Sequence, residues 1–181
     1  KSVVMHDVLL KLEQKEEDLV LGLKTDQIEF GDTEDLRKRM HLAKPLVTII
    51  KEIAQKAKRV VVLIDQIDAL SLSLSSNRTP LRSIFKLIEQ IKSIPHVRVV
   101  ISCRPYDLEY DPILNDMKIE TKWELKKLSS GRVKRILKKY NLEDSISEQL
   151  LAFLGNPLHL YLYLRVMPFG KLRNPITEEV L

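Results

Sequence analysis

Two carboxylates three residues apart, Asp65 and Asp68, close an apolar run in the stretch RVVVLIDQIDAL, Arg59 to Leu70. A second apolar run, Val97 to Ile101, ends in Ser102-Cys103-Arg104-Pro105, and the chain opens on Lys1-Ser2. An acid at the end of a buried strand costs desolvation energy unless a cation or a donor faces it. Asp65 could therefore hold Mg²⁺, directly or through water; Ser2 could add a hydroxyl ligand and Lys1 a point charge for the β- and γ-phosphates of a nucleotide, or the chain simply starts on Lys-Ser. Asp68, past the strand end, could polarise an attacking water. Arg104 would aim a planar fork of donors at a terminal phosphate if its strand lies beside the first, and Ser102 could donate to the same group. Each residue also has a structural reading. Asp65 could begin an Asx-type turn, Asp68 cap a helix or form a surface salt bridge, Ser102 cap a turn, and Arg104 pair with Asp107 or Glu109.

The elements that must position these groups follow from periodicity. A continuous β-branched run such as Val60 to Ile64 predicts a central parallel strand covered on both faces, and ligands of open α/β sheets lie beyond the carboxyl ends of such strands. Val3 to about Gln14 reads as a helix and Leu19 to Leu23 as a strand. Asp32 or Thr33 caps a short helix through Met40, and Pro45 opens another whose apolar stripe runs Leu46, Ile49, Ile50, Ile53 and Ala57. Ser71 to Thr79 is a polar, Ser-rich link. Pro80 starts a helix burying Leu81, Ile84, Phe85, Ile88 and Ile91, which Pro95 ends. Tyr106 to Asp116 has no clear period and reads as a loop, and Ile119 to Leu128 is expected to supply one more strand. Helices are expected over Ser130–Tyr140, Ile146–Leu154 and Pro157–Val166, with an irregular tail from Met167.

The chain has 181 residues, 44% hydrophobic and 30% charged, as in ordinary globular proteins, with a net charge of +5. The densest basic stretch, Lys126-Lys127, Arg132, Lys134-Arg135 and Lys138-Lys139, reads as solvated surface, and a nucleic-acid contact stays open. The single cysteine, Cys103, rules out an intrachain disulfide and fits a reducing compartment. No apolar run approaches the length of a membrane span and no leader is evident, so a cytoplasmic address without membrane contact is expected. A start at Lys1 without Met suggests a segment of a longer protein. No His stands at metal-ligand spacing from another His or Cys, so a zinc site is not expected; His159, among Leu158, Leu160 and Leu162, reads as a packing residue.

Together these pieces make the chain resemble a STAND-class P-loop NTPase, the signalling ATPase group that includes NACHT and AP-ATPase proteins. The resemblance rests on Lys1-Ser2 as the end of a Walker A loop, VVVLIDQIDAL as Walker B with Asp65 and Asp68, VRVVISCRP as the sensor strand with Arg104, and LGNPLHL as the Gly-x-Pro element around Gly155 and Pro157. It implies an α/β fold: a three-layer α/β/α sandwich on a parallel sheet of order 5-1-4-3-2, its first strand missing, over residues 1–128, and a helical lid over 129–181. Pro157 would pack near the adenine and Arg104 would contact the γ-phosphate. The implied activity is ATP hydrolysis with Mg²⁺. ATP and ADP states would control self-association, and an absent C-terminal sensor would detect a trigger protein, in bacteria often a phage protein. Two departures are the missing glycine loop with its strand and the lack of a winged-helix region. The segment as it stands is expected to bind ATP weakly.

Two other functions compete. An AAA+ initiator or loader acting on DNA would carry Glu directly after the Walker B Asp, where this chain has Gln66. A non-enzymatic scaffold would lack Asp65 or Arg104, and both are present.

Overall fold

The computed structural model describes residues 2–15, 18–27, 29–71, 77–142 and 146–167. Lys1, part of the Ser-rich link and the tail from Pro168 lie outside the described residues. The chain divides into two compact units, residues 1–121 and 122–181. The sequence reading places that division after Leu128.

The first unit is α/β. Its strands β1 (Asp18–Lys24), β2 (Arg59–Asp65) and β3 (Val97–Ile101) form a parallel sheet in the order β1-β2-β3. β2 is central, and Val60 through Asp65 are all buried, as its unbroken apolar run requires. Period-2 alternation splits the sheet into two faces. On one, Leu21, Leu23, Val62, Ile64, Val99 and Ile101 join the main core with α3 (Leu46–Ala54) and α4 (Thr79–Lys92). The other carries Gly22, Val61 and Leu63 and is covered by α1 (Ser2–Glu13), whose Leu9 lies 3.8 Å from where a Cβ on Gly22 would stand. A Cβ there would meet Leu9 at ordinary van der Waals distance, so α1 packs on the strand without needing the glycine.

Helix ends follow local chemistry. Asp32 caps α2 (Thr33–Arg39) by accepting from the backbone of Glu34 and Asp35 at 2.9 and 2.8 Å. At the strand starts, Arg59 Nε donates to Asp18 at 2.9 Å, aligning β1 with β2, and the guanidinium's hydrogen bonds hold the Asp18 carboxyl below the usual carboxylate range.

Two expectations are corrected. The segment 105–116 is not a loop: it forms α5 (Pro105–Tyr110) and α6 (Pro112–Asn115), each with Pro in its first turn. Asp111, between them, caps α6. Ile119 to Leu128 forms no strand; it has no ladder partner, and Ile119, Trp123 and Leu125 stand exposed.

The second unit packs α7 (Ser130–Lys139), α8 (Glu148–Leu154) and α9 (Pro157–Val166) around Val133, Leu137, Leu151, Leu154, Leu160 and Leu164. Ser129 and Ser147 cap the first two, and Asn156 caps α9 ahead of Pro157. Gly155 has a steric purpose here. A Cβ would lie 3.0 Å from the Leu128 carbonyl oxygen and 3.1 Å from that of Ala152, while Gly155 O accepts from Leu128 N at 2.7 Å. Gly155→Ala is therefore expected to destabilise this unit by ~1–3 kcal/mol, since backbone rather than a flexible side chain must move. Amide exchange in α8 and α9 reads this out; unchanged protection would mean the Leu128 segment gives way freely.

Candidate functional site

The carboxyl ends of the strands bring together Ser2, Thr25, Asp65, Gln66, Asp68, Ser102 and Arg104. Asp65 ends β2 with 8% exposure and accepts a hydrogen bond at Oδ1 from the Ser102 hydroxyl, one residue past β3. Ser102 Oγ in turn accepts from the Gln66 backbone N–H at 2.9 Å. The strands stay stitched past the ladder: Ser102 N donates to Ile64 O at 2.9 Å and Ile67 N to Ser102 O at 3.2 Å. Ser102 Oγ thus accepts from the turn residue Gln66, as a turn cap does, while its hydrogen goes to Asp65.

Gln66 turns the chain. Its φ of 59° and ψ of 41° are left-handed, a conformation costing a non-glycine residue about 1 kcal/mol. The turn ends β2 and starts a 3-10 helix, Ile67–Leu70. From there the Gln66 side chain donates through Nε2 to Ser2 Oγ at 2.8 Å, in the first turn of α1. Thr25, just past β1 and buried, donates its one hydroxyl hydrogen to the Gln66 carbonyl at 2.6 Å, with the Asp65 carbonyl also in reach at 3.1 Å. The turn that carries both carboxylates is therefore held by all three strands and by α1.

Asp68 lies inside the 3-10 helix rather than at its cap, with its side chain 3% exposed. Arg104 Nε stands 3.0 Å from Asp68 Oδ2, the arginine side chain 55% exposed. The structural alternatives for Arg104 are not what forms. Asp107 accepts instead from Ser71 Oγ at 2.5 Å, and Arg104 turns across to the second carboxylate. Arg104 is the N-cap residue of α5, extended at φ −76° and ψ 141°.

Of the remaining sequence candidates, Lys1 lies outside the described residues. Pro157 belongs to the second unit, exposed in the first turn of α9. His159 stacks on Phe153 with ring centroids 4.1 Å apart, and its Nδ1 is 3.1 Å from the Phe153 carbonyl, a packing histidine at the surface. Cys103 packs half-buried against the main core.

The donors fit a hard cation in one respect. Asp65 and Ser2 offer oxygen, and Mg²⁺ takes few protein ligands because phosphates and water complete its octahedron. Among the described residues no cluster of three or more His, Cys, Asp or Glu forms a cage of its own. A groove of about 970 Å³ lies elsewhere, lined by Leu46, Val47, Gln90 and His96 at the amino end of β3, away from Asp65 and every group named here. The convergent polar groups, by contrast, are at the strand ends, where ligands of open α/β sheets bind.

Sequence reasoning missed Thr25 and the contacts of Gln66. The signal for Thr25 was positional: a hydroxyl directly after a strand, at the same end as Asp65. No protein-family model matches this chain, and no curated protein matches it either. Among the described residues no helix is long and apolar enough to cross a membrane.

Proposed function

We propose that the chain is the ATP-binding and ATP-hydrolysing switch module of a STAND-class signalling ATPase, serving in bacterial antiphage defence and coupling nucleotide state to self-association. One observation carries the reading. The Ser2 hydroxyl in the first turn of α1 and the Asp65 carboxylate at the end of the central strand meet through Gln66 and Ser102, with the Arg104–Asp68 pair on the same turn. The parallel order β1-β2-β3 agrees with the 2-3-4 portion of a 5-1-4-3-2 sheet. Gln66 behind the Walker B acid speaks against the AAA+ alternative.

In this reading Asp65 and Ser2 would hold Mg²⁺, which offsets negative charge on the β- and γ-phosphates. Lys1 would add its charge there, and Pro157 would pack near the adenine. Asp65 has to share its carboxylate with Ser102, which fixes the orientation it presents. Arg104 would turn from Asp68 to the terminal phosphate, its exposure leaving it room to swing. Asp68 would then accept the proton of the attacking water.

The test uses the protein as its gene encodes it, titrated calorimetrically with Mg-ATP and Mg-ADP. Asp65→Ala should lose Mg-nucleotide binding and hydrolysis together. Arg104→Ala should keep ADP affinity and lose about tenfold or more for ATP, the scale of one charge-assisted contact. Equal loss for both nucleotides would make Arg104 a structural partner of Asp68, and wild-type protein indifferent to ATP would overturn the whole reading.

A further inference from the structure

The two units differ in charge. Residues 1–121 hold 19 Lys+Arg against 19 Asp+Glu, and residues 122–181 hold 11 against 6, so the entire net charge of +5 belongs to the second unit. Within it the excess concentrates on α7. That helix, SGRVKRILKK, has five cations and no acid, and Arg132, Lys134, Arg135, Lys138 and Lys139 are all exposed. Lys134 reaches Glu148 at 3.1 Å; among the described residues the other four make no ion pair. Arg132, Arg135 and Lys139 follow one another at i, i+3 and i+7, one stripe about 10 Å long at 1.5 Å per residue.

The helix gains little net stability from this stripe. Like charges three and four residues apart repel, and Arg132 stands in the first turn, where the helix dipole favours anions, which offsets the favourable place of Lys139 in the last turn. Val133 and Leu137 are fully buried, so the apolar side that a membrane-surface helix would insert is already spent on the core. What remains is a rigid, acid-free row of forked and point cations. Such a row matches a polymer of regularly spaced phosphates. The same unit exposes Trp123, 79% accessible, between Lys122 and the Lys126-Lys127 pair in sequence. An indole so placed can stack on an unpaired base.

We propose that the exposed face of α7, centred on Arg132, Arg135 and Lys139, binds the phosphodiester backbone of a nucleic acid without reading its sequence. The surface stands independently of the nucleotide site, and its test uses no ATP.

Fluorescein-labelled oligomers of about 20 units (single-stranded DNA, duplex DNA and single-stranded RNA) are titrated with the full chain, and anisotropy is followed from ~50 to ~200 mM salt. Saturable binding is expected, with a log–log salt slope near −2 for single strands if about three phosphates are neutralised. The variant Arg132→Gln, Arg135→Gln, Lys139→Gln should bind at least ~10-fold more weakly and lose most of that slope. Its thermal midpoint should stay close to that of the parent, because relieved repulsion offsets the lost dipole contact of Lys139. A matched variant, Lys11→Gln, Lys51→Gln, Lys56→Gln, removes the same charge from exposed positions of the first unit and should bind like the parent. The tightest of the three oligomers identifies DNA or RNA as the source, and quenching of the single Trp by single strands marks stacking. Equal weakening in both variants, binding to none of the oligomers, or α7-dependent binding to phosphatidylserine vesicles alone would each overturn the proposal.

Discussion

Asp68→Asn is expected to leave Mg-ATP binding intact and to slow hydrolysis by ~10²-fold or more, the usual effect of removing a positioned base. Asparagine keeps the shape of the side chain and keeps an oxygen toward Arg104, so the 3-10 helix can retain its fold. What it removes is the capacity to take a proton and the charge that draws Arg104 to it at 3.0 Å. A freed Arg104 should not weaken ATP binding and should favour the triphosphate over the diphosphate. In a switch protein the ATP state would then persist, with longer-lived oligomers. Three readouts separate chemistry from structure: turnover, oligomer size with ATP, and thermal midpoint. Normal turnover would leave Asp68 as the anchor of Arg104 and move the base elsewhere. Lost turnover with a collapsed midpoint would assign the effect to the 3% exposed carboxylate's part in folding.

What the sequence made legible has a common physical origin. β2 declared itself because a strand covered on both faces must be apolar at every position, and Val60 to Ile64 are. α4 did so because fourteen residues give four turns of apolar period, and Leu81, Ile84, Ile88 and Ile91 are all at 0% exposure. Short elements give no period. α5 and α6 have six and four residues, so only their leading prolines and the Asp111 cap could signal them. Partner choice was illegible for a different reason. Asp107 and Glu109 lay near Arg104 in sequence, but the carboxylate that Arg104 meets comes from another strand end, 36 residues earlier, and Asp107 is engaged by Ser71. The partners of Thr25 and Gln66 were illegible for the same cause, since their hydrogen bonds run to residues 40 and 64 positions away. The extended look of Ile119 to Leu128 misled because a strand is completed by its neighbour's ladder, which no residue pattern supplies.

Arg78→Ala should cost ~3–5 kcal/mol of folding stability, the range for breaking a buried ion pair by removing one partner. Arg78 donates through both terminal nitrogens to Asp111, at 2.6 Å each, with its side chain 17% exposed and that of Asp111 2% exposed. Hydrogen bonding to Asp111 raises the arginine's proton affinity further, in keeping with a desolvated, bidentate contact. The same carboxylate accepts from Ile113 N at 2.9 Å and Leu114 N at 3.4 Å to start α6. One guanidinium therefore ties the start of α4 to the α5–α6 junction behind Arg104. Removing it strands a charge that α6 still needs, while Asp111→Asn keeps the cap and discards the charge. The expected order of stability is wild type, then Asp111→Asn, then Arg78→Ala, with the double variant Arg78→Met, Asp111→Asn more stable than Arg78→Ala alone. Urea unfolding of the four proteins measures it. A loss under ~1 kcal/mol in Arg78→Ala would place the pair among solvent-screened surface bridges, against its 2.6 Å geometry. Recovery in the double variant would instead locate the cost in the stranded carboxylate, and not in lost packing of the arginine stem.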